Sequence, residues 1–214
     1  MLAILDYDAG NMESVRLALR HVGGSPVFVR TATEAEPAER IVFPGVGSAA
    51  HCMRNIRERG FDGLLKRAIA GGKPVLAICI GMQLLFEQSD EDGGISALGI
   101  LPGRVVRFMP RENGARDKVP HMGWNHVAMP RPHPLLANRE AGGDFYFVHS
   151  YHVSLSRDGK ASDAVYGTTG YAGVCFPSMV GKGSLFAAQF HPEKSGEAGL
   201  ALLARFLEWD GGPC

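Results

Sequence analysis

The chain has 214 residues, 45% hydrophobic, 21% charged and 8% aromatic, a balance that excludes disorder, collagen and coiled coil and fits one globular domain over residues 1–214. Lysine plus arginine (22) cancel aspartate plus glutamate (22), so no bulk charge points to nucleic acid or an anionic membrane, while neutrality permits close association with another protein. A chain of this length buries roughly 70% of its unfolded surface and needs no staple; its four cysteines, Cys52, Cys79, Cys175 and Cys214, lack paired spacing, which fits a reducing cytoplasm and no metal site.

The N-terminus, MLAILDYDAG, has no basic segment and no long apolar run, so neither a signal peptide nor a membrane span is expected. Leu2 to Asp6 reads as a buried strand. Asn11 is the expected N-cap of a helix from Met12 to His21, with Val15, Leu19 and Val22 on one stripe. Strands follow at Pro26 to Val29 and Ile41 to Phe43, the latter closed by PGVG. Ser48 caps a helix to about Arg59, a further helix runs from Phe61 to Ala70, and Pro74 to Ile78 is a fourth buried strand ending at Cys79. Alternation of short apolar runs with amphipathic segments predicts parallel strands joined by helical crossovers. Beyond a helix at Gln83 to Glu87 the texture changes. Arg104 to Phe108, Trp124 to Val127, Phe145 to Val148, Val153 to Leu155, Ala164 to Thr168 and Leu185 to Gln189 read as antiparallel or edge strands linked by Gly/Pro turns, and Ser195 opens a last helix to about Trp209. The expected fold is α/β: a central, mostly parallel mixed sheet flanked by helices, flavodoxin-like, with added antiparallel strands in the second half.

A strand, a sharp turn bearing a nucleophile and a helix make a nucleophile elbow, here with cysteine in the serine position. Ala77 and Gly81 supply the small neighbours a strained turn needs, and a helix N-terminus favours the thiolate that attacks. A lone cysteine after an apolar run is equally an ordinary core residue; the surrounding motif decides for function. The nucleophile needs a base and the base an orienter. In FHPEK, Pro192 pushes His191 toward extended geometry, where residues i and i+2 share a face, so Glu193 can hold the imidazole that serves Cys79. An oxyanion hole for acyl chemistry is expected from the amide of Ile80 and the loop Pro44 to Gly47, with Val46 and Gly47 as donors. Gly45, Gly47 and Ala50 also match a G-x-G-x-x-A dinucleotide fingerprint, but the loop follows the third strand, and no acidic residue ends the next. His149 and His152, an odd number apart in an alternating segment, are expected on opposite faces, which disfavours joint metal ligation and leaves His152 at the surface.

With AICIGMQLLFE, FPGVGSA, HMGWN, FYFVHSYH and FAAQFHPEKSG in order, the whole sequence resembles the class I glutamine amidotransferases, and among them the glutaminase subunits of imidazole glycerol phosphate synthases. The resemblance implies Cys79 as nucleophile, His191 as base and acid, and Glu193 as orienter. It implies glutamine held by Gly47, Gln83, His149, Ser150 and Tyr151 and hydrolysed through a thioester with no cofactor. It also implies a heterodimer with a (β/α)8-barrel cyclase subunit, which Asn11, Met122, Trp124, Tyr146 and Lys194 would contact and which would use the ammonia in histidine biosynthesis. Ala77 and Ile80 stand where this family usually has glycine and leucine, conservative changes that leave the chemistry intact. The alternatives are an amidotransferase subunit of another synthase, such as anthranilate or aminodeoxychorismate synthase, or a non-catalytic binding subunit.

Overall fold

The computed structural model describes residues 1–109, 118–136, 142–155 and 162–212; Cys214 lies outside them. The first half alternates β1 (Leu2–Leu5), α1 (Met12–His21), β2 (Pro26–Val29), α2 (Ala32–Ala35), β3 (Arg40–Phe43), α3 (Ala49–Glu58), α4 (Phe61–Ala70), β4 (Val75–Ile78) and α5 (Ile80–Gln83). Short strands follow: β5 (Gln88–Ser89), β6 (Ile95–Ser96), β7 (Arg104–Arg107), β8 (His121–Val127), β9 (Gly143–His149) and β10 (Tyr151–Ser154). The chain then returns through β11 (Val165–Tyr171), β12 (Val174–Lys182) and β13 (Leu185–Ala188) to α6 (Gly196–Glu208).

Seven strands form the central sheet in the order β11-β12-β13-β4-β3-β1-β2. β2, β1, β3, β4 and β13 run parallel, and β12 and β11 add an antiparallel edge. All of β4 is buried because the sheet is covered on both sides. One face, with Ala3, Leu5, Phe43 and Ala77, packs against Met53, Ile56 and Leu64 of α3 and α4. The other, with Ile4, Val42, Leu76 and Ile78, packs against Leu19 of α1 and Leu203 and Phe206 of α6. A four-stranded sheet (β10-β7-β5-β6) and the β8-β9 hairpin lie outside this layer.

Three expectations are corrected, and one strand was not foreseen. Asn11 adopts a left-handed conformation (φ 67°) and makes no side-chain cap to α1; its amide is engaged elsewhere. The helix after Cys79 is the single turn of α5, not Gln83 to Glu87, because Leu84 and Leu85 turn the chain back to pair β5 with β7. β12 escapes sequence reading because Pro177 interrupts its pattern; the proline is tolerated because pairing with β13 starts only at Met179. His152 is buried rather than at the surface, its ring 4.5 Å from that of Phe108. The chain changes sheet at Ser150, so His149 and His152 do not share one alternating strand, and both pack on Phe176. No group of three His, Cys, Asp or Glu residues suited to a metal ion occurs among the described residues.

Desolvation lowers the pKa of His121 and His133 to about 4, of His149 to about 3, and of His152 below its ordinary value. The folded protein therefore resists taking up these protons, whereas the unfolded chain accepts them below about pH 6.5. Stability falls with acidification through that window. His191, whose pKa is raised, works in the opposite sense but is one group against four. The thermal midpoint, followed by circular dichroism, is expected to drop progressively from neutrality to about pH 5; a midpoint that holds or rises would contradict the buried neutral histidines.

Candidate active site

Strand β4 delivers Cys79 into the turn with φ 55° and ψ −110°, a backbone state that L residues rarely adopt. The strand holds it there. Cys79 N–H donates to the Ala188 carbonyl on β13 (2.8 Å), continuing the sheet one residue past β4. Gly81 is required on the far side, since a Cβ there would sit 2.0 Å from the Phe43 carbonyl oxygen. Because α5 is only one turn long, its dipole is weak. The main electrostatic companion of the sulfur is instead His191.

His191 is extended (φ −100°, ψ 97°) and Pro192 begins a short 3-10 turn, so His191 and Glu193 face one another as their spacing predicts. His191 Nδ1 lies 2.7 Å from Glu193 Oε1, and both side chains are almost wholly excluded from solvent. Burial opposes charge on His191, but the neighbouring Cys79 sulfur and the Glu193 carboxylate outweigh it and hold the imidazole well above its ordinary pKa. Nε2 of His191 is buried and makes no hydrogen bond among the described residues. Ser195 opens the last helix as expected, and its hydroxyl donates to the His191 carbonyl (2.6 Å) and accepts from the Tyr146 amide (3.0 Å). His191 N–H donates to the Tyr146 carbonyl (2.9 Å). The His191 backbone is thereby tied to β9 from both sides.

In front of the sulfur is a pocket of about 280 Å³ lined by Val46, Gly47, Cys79, Ile80, Gln83 and the run Val148 to Tyr151, with Glu91 and Pro120 at its edge. All the residues expected to bind substrate or line an oxyanion hole thus meet at one opening. As the first residue of α5, Ile80 has an amide without an intrahelical partner. Gly47 sits at φ 120°, and a Cβ there would meet nothing within 4 Å, so the position constrains the backbone rather than space. Tyr7 secures this loop by donating to the Pro44 carbonyl (2.5 Å).

Met122 and Trp124 point outward from β8, 62% and 59% exposed, and the Trp124 ring stands edge-on to Tyr146 at 6.2 Å. Lys194 is exposed and Asn11 is half-buried. One contact, that of Asn11, and two further participants, Gln189 and Glu91, were not foreseen. Asn11 Nδ2 donates to Glu193 Oε1 (2.6 Å), the same oxygen that faces the imidazole. Gln189 Nε2 lies 3.8 Å from Cys79 Sγ; it stands two residues before His191, and the i, i+2 rule could have placed it there. Glu91 brings a carboxylate to the pocket, partly desolvated and with raised pKa.

Residues 3–209 match the family described as Glutamine amidotransferase class-I. The chain belongs to the class I glutamine amidotransferases. It is similar to proteins named imidazole glycerol phosphate synthase subunit HisH. The relative from Pseudomonas putida is 45% identical over 214 residues, covering 98% of each chain, and that from Acinetobacter baylyi is 46% identical over 210 residues with the same coverage. The relative from Bacillus velezensis is 44% identical, covering 97% of this chain and 96% of its own. Among solved structures, a crystal structure of a glutamine amidotransferase superposes with TM-score 0.70 at 20% identity, covering 98% of both chains. PurLQS from Thermotoga maritima gives 0.72 at 18%, covering 97% of both. At such identities these two establish the class I amidotransferase fold alone.

As a class I amidotransferase the chain is a glutamine-hydrolysing enzyme. Loss of the Asn11 amide would free Glu193 to turn and blur the imidazole orientation. Asn11→Ala is expected to lower kcat for glutamine hydrolysis about tenfold with little change in KM. Asn11→Asp, which sets a second carboxylate against Glu193, should be worse; steady-state kinetics in which both variants match wild type would contradict the contact.

Proposed function

We propose that the chain, as a single amidotransferase domain, is the glutaminase subunit of an imidazole glycerol phosphate synthase, supplying ammonia to a cyclase partner in histidine biosynthesis. The observation that carries this reading is the near full-length likeness to subunits of that name, combined with a pocket that gathers the expected residues around Cys79. No helix among the described residues is long and apolar enough to cross a membrane, in keeping with a cytoplasmic enzyme.

In this reading the Cys79 thiolate attacks the side-chain carbonyl carbon of glutamine. The carbonyl oxygen takes up the negative charge, and the amides of Ile80 and of the Val46–Gly47 loop are the donors aimed at it. The His191 imidazolium gives its Nε2 proton to the departing nitrogen, ammonia leaves, and a γ-glutamyl thioester remains. Water then adds to the thioester, the now neutral His191 takes its proton, and collapse releases glutamate with the thiolate and imidazolium restored. Glu193, steadied by Asn11, keeps the hydrogen on Nδ1 throughout. Gln83, His149, Ser150 and Tyr151 hold the substrate, and Glu91 is suited to its ammonium group.

The partner is a (β/α)8-barrel cyclase docked over Met122, Trp124, Tyr146, Lys194 and Asn11. Two large exposed apolar side chains on one strand face suit a protein interface. That surface borders His191, through the Tyr146 contact, so ammonia would form next to the partner.

Purified chain is expected to hydrolyse glutamine slowly alone and much faster with the cyclase and its acceptor ligand, with Cys79→Ser abolishing both. Full activity without a partner, or stimulation by a chorismate-using enzyme instead, would overturn the assignment. Gly47→Val should lower kcat by about a hundredfold by fixing the loop peptide wrongly, with a smaller effect on partner binding measured by calorimetry. Equal loss of both would indicate a purely structural role.

A further inference from the structure

Behind the pocket, hydrogen bonds join in one chain from β8 to the nucleophile. Asn125 Nδ2 donates to the Gly170 carbonyl (3.1 Å) and lies 3.1 Å from His121 Nε2. His121 Nδ1 lies 2.8 Å from His149 Nε2, and His149 Nδ1 lies 2.7 Å from the Tyr151 carbonyl. That carbonyl also accepts from Gln83 Nε2 (2.9 Å), which donates as well to Gln189 Oε1 (2.9 Å), and Gln189 Nε2 reaches Cys79 Sγ.

Only one proton arrangement satisfies every link. A carbonyl cannot donate, so His149 Nδ1 carries a hydrogen and the Nε2 of its neutral ring accepts. His121 Nδ1 must then be the donor and its Nε2 the acceptor from Asn125. The orientation of Asn125 is fixed independently, since its Oδ1 accepts from the His126 amide (2.8 Å). A charged imidazolium at either position would set one N–H against another. The His121 ring lies nearly parallel to those of Phe147 (4.7 Å) and Tyr171 (3.9 Å), which prevents it from swinging away.

The pair also separates two cavities. His149 lines the pocket before Cys79, whereas His121 and Asn125 line an open cavity of about 700 Å³ bordered by Met122 and Trp124. We propose that His121 is a positioning residue for the glutamine pocket. Through His149 it fixes the turn from His149 to Tyr151, and with it Gln83 and Gln189 beside the sulfur. It thereby links the shape of the pocket to the strand that carries Met122 and Trp124. This inference rests on the glutaminase reading. His121 touches no reacting atom, so its removal should loosen substrate binding rather than stop the chemistry.

Two replacements separate the hydrogen bond from mere packing. His121→Phe keeps a ring between Phe147 and Tyr171 but has no donor. His121→Asn loses the ring but carries an amide N–H near the position of Nδ1. With the full chain in complex with its cyclase, His121→Phe is expected to raise KM for glutamine about three- to tenfold while kcat stays within about twofold, and His121→Asn to recover most of the loss. An unchanged KM in His121→Phe, or equal defects in both variants, would overturn the proposal. Imidazole nitrogen NMR of the wild-type chain at neutral pH supplies a readout without turnover. Both rings should be neutral with hydrogen on Nδ1, and a hydrogen on Nε2 of either ring would also overturn it. If wild type fails to hydrolyse glutamine, the glutaminase reading fails on its own, and the NMR result still decides the proton arrangement.

Discussion

The backbone of Cys79 is the constraint on which the site depends. A residue with a side chain at φ 55°, ψ −110° sits in a strained region that costs of order 1–3 kcal/mol and persists only where its surroundings over-determine it. Here they do. The residue is pinned from behind by β13 through the Ala188 carbonyl. In front, the absence of a side chain on Gly81 lets α5 press against the Phe43 carbonyl. The result is a sulfur presented at the end of a strand that is itself buried on both faces and cannot shift.

The other groups arrive because β13, β4, β3 and β1 are neighbours in one parallel array. In such sheets the loops leaving the carboxyl ends of the strands meet in one crevice. β4 contributes Cys79 and β3 the Val46–Gly47 loop; His191 and Glu193 follow β13, and Asn11 follows β1. The carboxyl-end loops are also braced against each other: Tyr7 after β1 holds Pro44 after β3, and Asn11 after β1 holds Glu193 after β13. The parallel sheet accordingly orients the nucleophile and the oxyanion loop, and it brings in the base, whose backbone is further held by β9. β8, β9 and β10 add the substrate-side wall and the exposed apolar face.

The parts of this arrangement that were legible in the sequence are those governed by local rules. Buried parallel strands appear as short apolar runs, the elbow as a cysteine flanked by Ala77 and Gly81, and the His191–Glu193 pair as an i, i+2 spacing across Pro192, which keeps His191 extended. What was not legible depends on tertiary partners. Asn11 has the composition of a cap, but its amide finds the Glu193 carboxylate far along the chain. His152 becomes a core residue only because the strand direction breaks at Ser150 and brings it onto Phe108 and Phe176. The tautomer of His149 follows from a carbonyl on β10 and that of His121 from an amide on its own strand, whose orientation a backbone N–H fixes, and no spacing rule encodes them.

The account stands most directly on Cys79 carrying the acyl group. The complex can be quenched in acid during steady-state turnover of glutamine, digested, and its cysteine peptides weighed by mass spectrometry. The account predicts a γ-glutamyl adduct on the Cys79 peptide, absent from the peptides of Cys52 and Cys175 and lost when glutamine is exhausted. An adduct on another cysteine, or sustained hydrolysis with no adduct on Cys79 under conditions where deacylation is slowed, would contradict it.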